Sequence, residues 1–392
     1  MARFIKLICE FLRLKFAPRQ RKGSRTVLLL FQSPQYYGTH TYFKNLTEYL
    51  HQRNLSMHLL AAEKEVDEAV SKVIARYNMA VTVFSKDEIY PIAWHKIHSW
   101  RGAYYFLCQA LKQSVFLLRL YRRVNPVFTF ISVGWPFMWF VGFLIPGKIY
   151  YVQNNMPQSP LDGGNRCLLK LGLLLNHPRV IAVSDFCRKN MAKYWGIPLA
   201  RMDVVRYYYD GCYREHVSSE KIRVVSIARA DDVKNPALWA DIGNTITERR
   251  PNVVFTWAGD GNQLKQAMEK VIDPNRVQFL GYRNDVDDLY ASADIFFTPA
   301  ANETLGIAVV GAMFHGLPVI ATSNGGTVES VFDGETGFIV DVTNREQMMD
   351  RLLRLIDDEA LRREMGRKAK ARFDAMFTKE MWVKKMDALV EE

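Results

Sequence analysis

The sequence predicts an α/β chain made of two alternating β/α halves, and three observations carry that expectation. Short apolar runs recur without strict alternation, as strands buried on both faces do: Arg25 to Phe31 (RTVLLLF), Arg223 to Ala228, Val253 to Ala258, Ile295 to Phe297 and Pro318 to Thr322. Stretches of helical length separate them, punctuated by glycine turns such as Gly259-Asp260-Gly261 and Asn324-Gly325-Gly326. A strand–loop–helix opener also appears twice, once from Arg25 and again from Arg223. Two doubly wound, Rossmann-like halves follow from this pattern.

Length and composition agree. At 392 residues the chain has room for two or three domains, and 49% hydrophobic with 24% charged residues describes an ordinary folded protein. The net charge of +11 points to a polyanionic partner such as a membrane surface, nucleic acid or a phosphorylated substrate. Cys9, Cys108, Cys167, Cys187 and Cys212 are scattered, with no CxxC or Cys/His cluster, which argues against metal ligation and a disulfide framework and for a reducing cytoplasm.

Residues 1–24 read as a basic amphipathic segment. Phe4, Ile5, Leu7, Ile8, Phe11, Leu12 and Leu14 share one broad helical face, and Arg3, Lys6, Glu10 and Arg13 lie opposite. Charges interrupt the apolar positions and no small-residue cleavage site follows, unlike a signal peptide. A mitochondrial presequence and a helix packed on the protein's own core are alternatives. An in-plane anchor on an anionic membrane is the preferred reading.

The first half is expected over 25–210. Strand Arg25 to Phe31 leads into a loop over Gln32 to His40 that contains Gly38, then a helix from about Thr41 to Arg53. Further strands are expected at 57–61, 80–84, 127–132, 149–153 and 180–183, with a long helix at about 103–123 and another at 185–195. Pro126 to Pro146 is almost long enough to span a bilayer, but Gly134 and Pro136 divide it into a strand and a helix. A linker near 206–221 carries Tyr207-Tyr208-Tyr209. The second half, over 211–377, repeats the opener as strand, loop Arg229 to Asn235, and helix from Pro236.

Chemistry concentrates in residues 277–340. Strand Ile295 to Phe297 ends at Thr298-Pro299, and a helix is expected from Thr304 to His315 with Gly306 in its first turn. A glycine there lets an anion reach exposed backbone N–H groups, where the helix dipole favours negative charge. Glu303 puts a carboxylate beside this diphosphate-like site. Asp285, Asp287 and Asp288 read as helix-start acids. No Asp-x-Asp stands in a strand-end loop, so no metal is indicated, and a G-x-G-x-x-G dehydrogenase fingerprint is absent. The basic residues lack a nucleic-acid-binding module, so no nucleic-acid partner is expected.

The order of these pieces resembles the donor-binding half of family 4 retaining glycosyltransferases of the GT-B fold. The matching residues are Gly281, Leu289-Tyr290 with Ala293-Asp294, Pro299, Glu303 with Gly306, Gly316-Leu317-Pro318-Val319, Gly325-Gly326 with Glu329, and Gly334 to Gly337. The resemblance is strong over about 222–345 and looser over 26–205. It implies two Rossmann-like domains with parallel sheets facing across a cleft, the last helix (378–392) returning to the first, and a nucleotide-sugar donor with no cofactor. It implies that Arg229 and Lys234 reach the donor diphosphate, where fixed cations stabilise charge on the departing oxygen. Glu303 would lie by the donor sugar, and the amides of Thr304, Leu305, Gly306 and Ile307 by the β-phosphate. Gly38, Gly259 and Tyr282 complete the expected donor set.

Three departures stand out. Asn235 occupies a position where the family often has glycine. Gly311 replaces the second acid of the family's E-x7-E pattern, which usually accepts hydrogen bonds from the ribose. The mid-domain loops Ser132 to Trp135 and Gln153 to Pro157 contain no histidine where family members often carry one. The family's same-face mechanism, in which the departing phosphate helps take the acceptor proton, makes a protein base dispensable. Asn154, Asn155 and His40 are the acceptor-side candidates. The expected protein is a glycosyltransferase peripheral on the cytoplasmic face of the cell membrane, acting on a lipid-linked or surface-glycan acceptor in bacterial polysaccharide assembly. Its rivals are a catalytically degenerate sugar-nucleotide binder and a soluble enzyme acting on a small molecule or protein.

Overall fold

Five consecutive buried residues, Val27 to Phe31, make the first strand a core element from its start. The computed structural model describes residues 2–16, 25–31, 37–62, 66–84, 100–132, 145, 147–154, 157, 159–160, 169–170, 173–174 and 177–391. They divide into two compact units, one of 1–182 with 188–204, the other of 183–187 with 205–392.

The first unit holds strands β1 (Thr26–Phe31), β2 (Ser56–Ala62), β3 (Ala80–Phe84), β4 (Phe128–Ser132), β5 (Lys148–Gln153), β6 (Arg179–Ala182) and β7 (Met202–Val204). Their order is β3-β2-β1-β4-β5-β6-β7, and every pair is parallel. The short β7 has no counterpart in the sequence reading. Helix Tyr37–Gln52 covers β1 with Tyr42, Phe43, Leu46, Tyr49 and Leu50, all buried at helical spacing. Phe43 meets Phe31 edge-on at 5.2 Å. This helix begins at Tyr37, not Thr41, so Gly38 and His40 lie in its first turn instead of in a loop. The expected helix 185–195 is an α-helix over Asp185–Asn190 that continues as a π-helical turn, Met191–Trp195, closed by Gly196 at φ 71°.

The amino-terminal segment is helical over Ala2–Phe16 and packs along helix Trp100–Val124. Glu10 accepts from Arg119 at 2.7 Å, and Arg122 donates to the Leu14 carbonyl at 2.6 Å. The single broad apolar face of the sequence reading is therefore divided. Leu7, Ile8, Phe11 and Leu14 are half-buried, while Ile5 and Leu12 are exposed beside Lys6, Cys9 and Arg13. Glu10 belongs to the packed side because its carboxylate has a cation to meet there. The helix expected over Pro136 to Ile145 lies, apart from Ile145, outside the described residues. Among those described, no helix is long and apolar enough to cross a membrane.

The second unit holds β8 (Ile222–Ile227), β9 (Val253–Ala258), β10 (Val277–Phe279), β11 (Ile295–Thr298), β12 (Val319–Thr322) and β13 (Gly337–Val340). The order is β10-β9-β8-β11-β12-β13, again all parallel. Helix Pro236–Arg249 sends Trp239, Ile242 and Ile246 into the core, where Trp239 meets Phe255 and Trp257 at 5.4 Å each. Each such buried aromatic contributes roughly 1.5–3 kcal/mol relative to exposure. The last helix, Lys379–Glu391, groups with this unit, and its Trp382 packs edge-on against Tyr208.

Candidate active site

Strand order in the second unit reverses between β8 and β11, since β9 and β10 extend the sheet one way and β12 and β13 the other. Loops leaving the carboxyl ends of such a strand pair diverge, and open α/β sheets bind ligands there. Those two loops carry Arg229, Lys234 and Glu303.

The loop after β8 is clamped by backbone. Ala228 N–H donates to the Ala258 carbonyl and Ala230 N–H to the Asp260 carbonyl, both at 3.0 Å. This requires glycine at 259: its φ is +141°, and a Cβ would stand 1.9 Å from the Ala228 oxygen. Asn235 ends the loop at φ 53°, a left-handed position that asparagine tolerates, and its Nδ2 donates to the Pro299 carbonyl at 3.0 Å. Asparagine thus meets the backbone demand that glycine would meet and adds a tie to the neighbouring loop. Ala301 N–H donates to the Val233 carbonyl at 2.6 Å. With the loops sewn together, Lys234 Nζ forms an ion pair with Glu303 Oε2, both side chains largely buried.

Glu303 is fixed by the turn opposite. Its N–H donates to the Asn324 carbonyl at 3.2 Å and its carbonyl accepts from Gly326 at 2.8 Å. A Cβ on Gly325 would lie 2.1 Å from the Glu303 oxygen, so the glycine pair exists to let this backbone close. The helix beyond starts at Ile307, later than the expected Thr304, and runs to Phe314. Gly306 precedes it at φ 84°. Leu305 is buried, and the Thr304 carbonyl accepts from Ser184 at 2.6 Å. Among the described residues the N–H groups of Thr304, Leu305, Gly306 and Ile307 donate to no protein acceptor. A helix start with free donors, next to the Lys234–Glu303 ion pair, can take an anion.

Gly311 has a physical reason. A Cβ there would meet the Tyr209 ring at 2.8 Å and the Tyr290 hydroxyl at 2.9 Å, so an acidic side chain has no space. Tyr209 is held by Asp287, whose carboxylate accepts from the Tyr209 hydroxyl at 2.7 Å, Cys212 N–H at 2.9 Å and His315 Nε2 at 3.1 Å. Burial raises the Asp287 carboxyl, but these donors outweigh it and hold it below its ordinary value. Burial pushes the Tyr209 phenol well up, with Tyr290 and Asp287 adding to it, so the hydroxyl stays a donor. Asp287 therefore does more than start helix Val286–Ala291. It ties the tyrosine-rich segment to it.

Tyr282, past the end of β10, is 69% exposed. In the first unit Asn154 is buried and donates to Ser132 Oγ at 3.0 Å. His40 is half-buried, and Asn155 lies outside the described residues. The described cysteines Cys9, Cys108, Cys187 and Cys212 form no disulfide with one another, and no cluster of three metal-ligating side chains occurs among the described residues. Two partners escaped the sequence reading. Asp231 holds Arg229, a carboxylate set between two loop cations being the available signal. Glu329 accepts from Phe186 N–H at 2.6 Å and Arg206 at 2.7 Å, which no local pattern announces.

Comparison with known proteins bears on the family and the fold. Residues 214–372 match the family model of glycosyl transferases group 1. N-acetyl-alpha-D-glucosaminyl L-malate synthase of Bacillus anthracis is 30% identical over 33% of this chain and 35% of its own. UDP-Gal:alpha-D-GlcNAc-diphosphoundecaprenol alpha-1,3-galactosyltransferase of Escherichia coli is 31% identical over 33% and 35%. The chain thus spans about a third of the length of these curated relatives. The structure of Anabaena HepE in complex with UDP and glucose superposes with a TM-score of 0.73 over 93% of this chain and 99% of that one, at 18% identity. That likeness extends to both units and shows the fold, which is the GT-B class. By their sequence, residues 214–372 belong to the glycosyl transferases group 1 family.

Proposed function

We propose that the protein is a retaining glycosyltransferase that moves a sugar from a nucleotide-sugar donor to a lipid-linked or cell-surface glycan acceptor. The observation that carries this is the convergence of Arg229, Lys234, Glu303 and the free N–H groups of 304–307 at one switch point. In the reaction the bond from anomeric carbon to phosphate oxygen breaks, and its electron pair leaves with the diphosphate. Arg229, Lys234 and the N–H groups stabilise that charge. Glu303 binds the sugar and faces its developing positive charge. The acceptor hydroxyl bonds to the same face of the anomeric carbon, and its proton passes to the departing phosphate. No metal or cofactor enters this scheme. A relative named for a diphosphoundecaprenol-linked sugar, and a neighbour bound to UDP and glucose, support the substrate classes.

The test is a panel of UDP-, GDP- and ADP-sugars read by thermal shift, because a specific donor stabilises the fold by mass action. One should raise the melting temperature and be turned over with its anomeric configuration kept. A panel that binds nothing removes the reading. Inversion of the anomeric centre removes the retaining mechanism alone.

The membrane side of the proposal rests on Ile5 and Leu12, exposed on the outer face of the first helix with Lys6 and Arg13 beside them. Cations near an anionic surface contribute about 1 kcal/mol each. Replacing Ile5 and Leu12 by serine should abolish sedimentation with phosphatidylglycerol vesicles. The packing of this helix along Trp100–Val124 favours a second reading, a soluble enzyme with the helix as a structural element. Unchanged sedimentation, or none in the parent protein, would decide for it.

A further inference from the structure

We infer that Asp231 is the positioning residue of the phosphate-binding loop, setting Arg229 through its side chain and Lys234 through its backbone. The inference rests on the donor-site reading above. Asp231 Oδ2 accepts from Arg229 Nε at 2.6 Å and Nη2 at 2.5 Å. Its Oδ1 accepts from the Lys234 N–H at 3.1 Å, and its carbonyl accepts from the same N–H at 3.0 Å. One carboxylate therefore spans both cation-bearing residues. It is itself poorly exposed, at 14%, whereas the guanidinium it holds is 48% exposed. The adjacent Asp232 points elsewhere, accepting from Gln263 at 2.6 Å.

The arrangement divides the guanidinium. Its Nε and Nη2 edge faces Asp231, and Nη1 makes no hydrogen bond among the described residues. A long exposed arginine is otherwise free about several torsions, and fixing one edge presents the other as a ready donor. Asp231 is also a negative charge near an anion site, which opposes binding. Pairing with Arg229 already offsets that charge. The directional gain, moreover, falls where charge develops on the departing oxygen and not on the bound ground state. The effect belongs in turnover more than in affinity.

Asp231→Asn separates the two roles, because the amide oxygen can still accept from Lys234 N–H while the charged hold on Arg229 is lost. The assay is nucleoside-diphosphate release from whichever of UDP-glucose, UDP-galactose, UDP-N-acetylglucosamine and GDP-mannose is turned over fastest, below the melting temperature of every variant. Turnover should fall about tenfold, with the KM for donor changing less than threefold. In an Arg229→Ala background the same substitution should have no further effect. Additive losses in the double variant, unchanged turnover in Asp231→Asn, or a lower KM with turnover kept each overturn the inference. If Arg229→Ala weakens turnover while Asp231→Asn does not, only Asp231 falls. If no nucleotide sugar is bound or turned over, the donor-site reading fails and Asp231 falls with it.

Discussion

The two sheets share one topology, and the residues described at their switch points differ. In the first unit order reverses between β1 and β4, in the second between β8 and β11. In the second unit both outgoing loops are locked by backbone: Gly259 against Ala228, Gly325 against Glu303, and Ala301 to Val233. In the first unit residues 32–36 and 133–144, which leave β1 and β4, lie outside the described residues. Of the polar side chains described there, Asn154 is buried and donates to Ser132. A doubly wound sheet supplies a location for a site, and at the second unit's location charged side chains meet tight backbone contacts.

The largest expected effect breaks the second switch point at its carboxylate. Glu303→Gln should lower turnover by orders of magnitude, while nucleoside-diphosphate affinity measured by calorimetry changes little, because on the proposed function the carboxylate acts at the sugar. Retained turnover would take Glu303 out of the site. Arg229→Ala and Lys234→Ala should come next, each weakening nucleoside-diphosphate binding by about 1.5–3 kcal/mol, the worth of a charge-assisted hydrogen bond. Nucleoside monophosphate should lose less, and equal losses for both ligands would count against contact with the diphosphate.

Sequence and structure agree best where backbone geometry dictates residue type. Gly259 and Gly325 announce sharp turns in the sequence, and the structure puts carbonyl oxygens about 2 Å from where their Cβ atoms would be. Arg229, Lys234 and Glu303 are legible because they stand at strand ends within one local pattern. The start of helix Ile307–Phe314 is not, since Gly306 adopts a left-handed conformation that the apolar pattern cannot show. The reason for Gly311 is not legible either. Tyr209 lies 102 positions earlier, from 311 − 209, and only the fold brings its ring against the helix. The amphipathic amino terminus is correct as a helix, yet periodicity cannot say that Glu10 would find Arg119.

A smaller effect tests the clamp itself. Gly259→Ala would force a side chain to φ +141° and against the Ala228 carbonyl. Strain of this kind costs of order 1–3 kcal/mol. Melting should fall by several degrees, and the Arg229 loop should lose donor affinity in parallel. Melting unchanged by the alanine would show that the loop can shift freely, and the contrast between the two switch points would lose its basis.

The smallest expected effect sits at a glycine of the first unit. Gly38 lies in the first turn of helix Tyr37–Gln52, and among the described residues no atom stands within 4 Å of a Cβ built on it. Alanine is favoured over glycine in a helix by at most about 0.5–1 kcal/mol. Gly38→Ala should therefore leave the melting temperature unchanged or raise it by a degree or two, the reverse of Gly259→Ala. Among the described residues nothing near Gly38 calls for glycine, so the role proposed for it is close approach of the donor to the backbone. On the donor-site assignment, turnover falls in this variant although stability does not. Normal turnover together with normal melting would remove Gly38 from the donor-binding set and leave that binding to the second unit's loops.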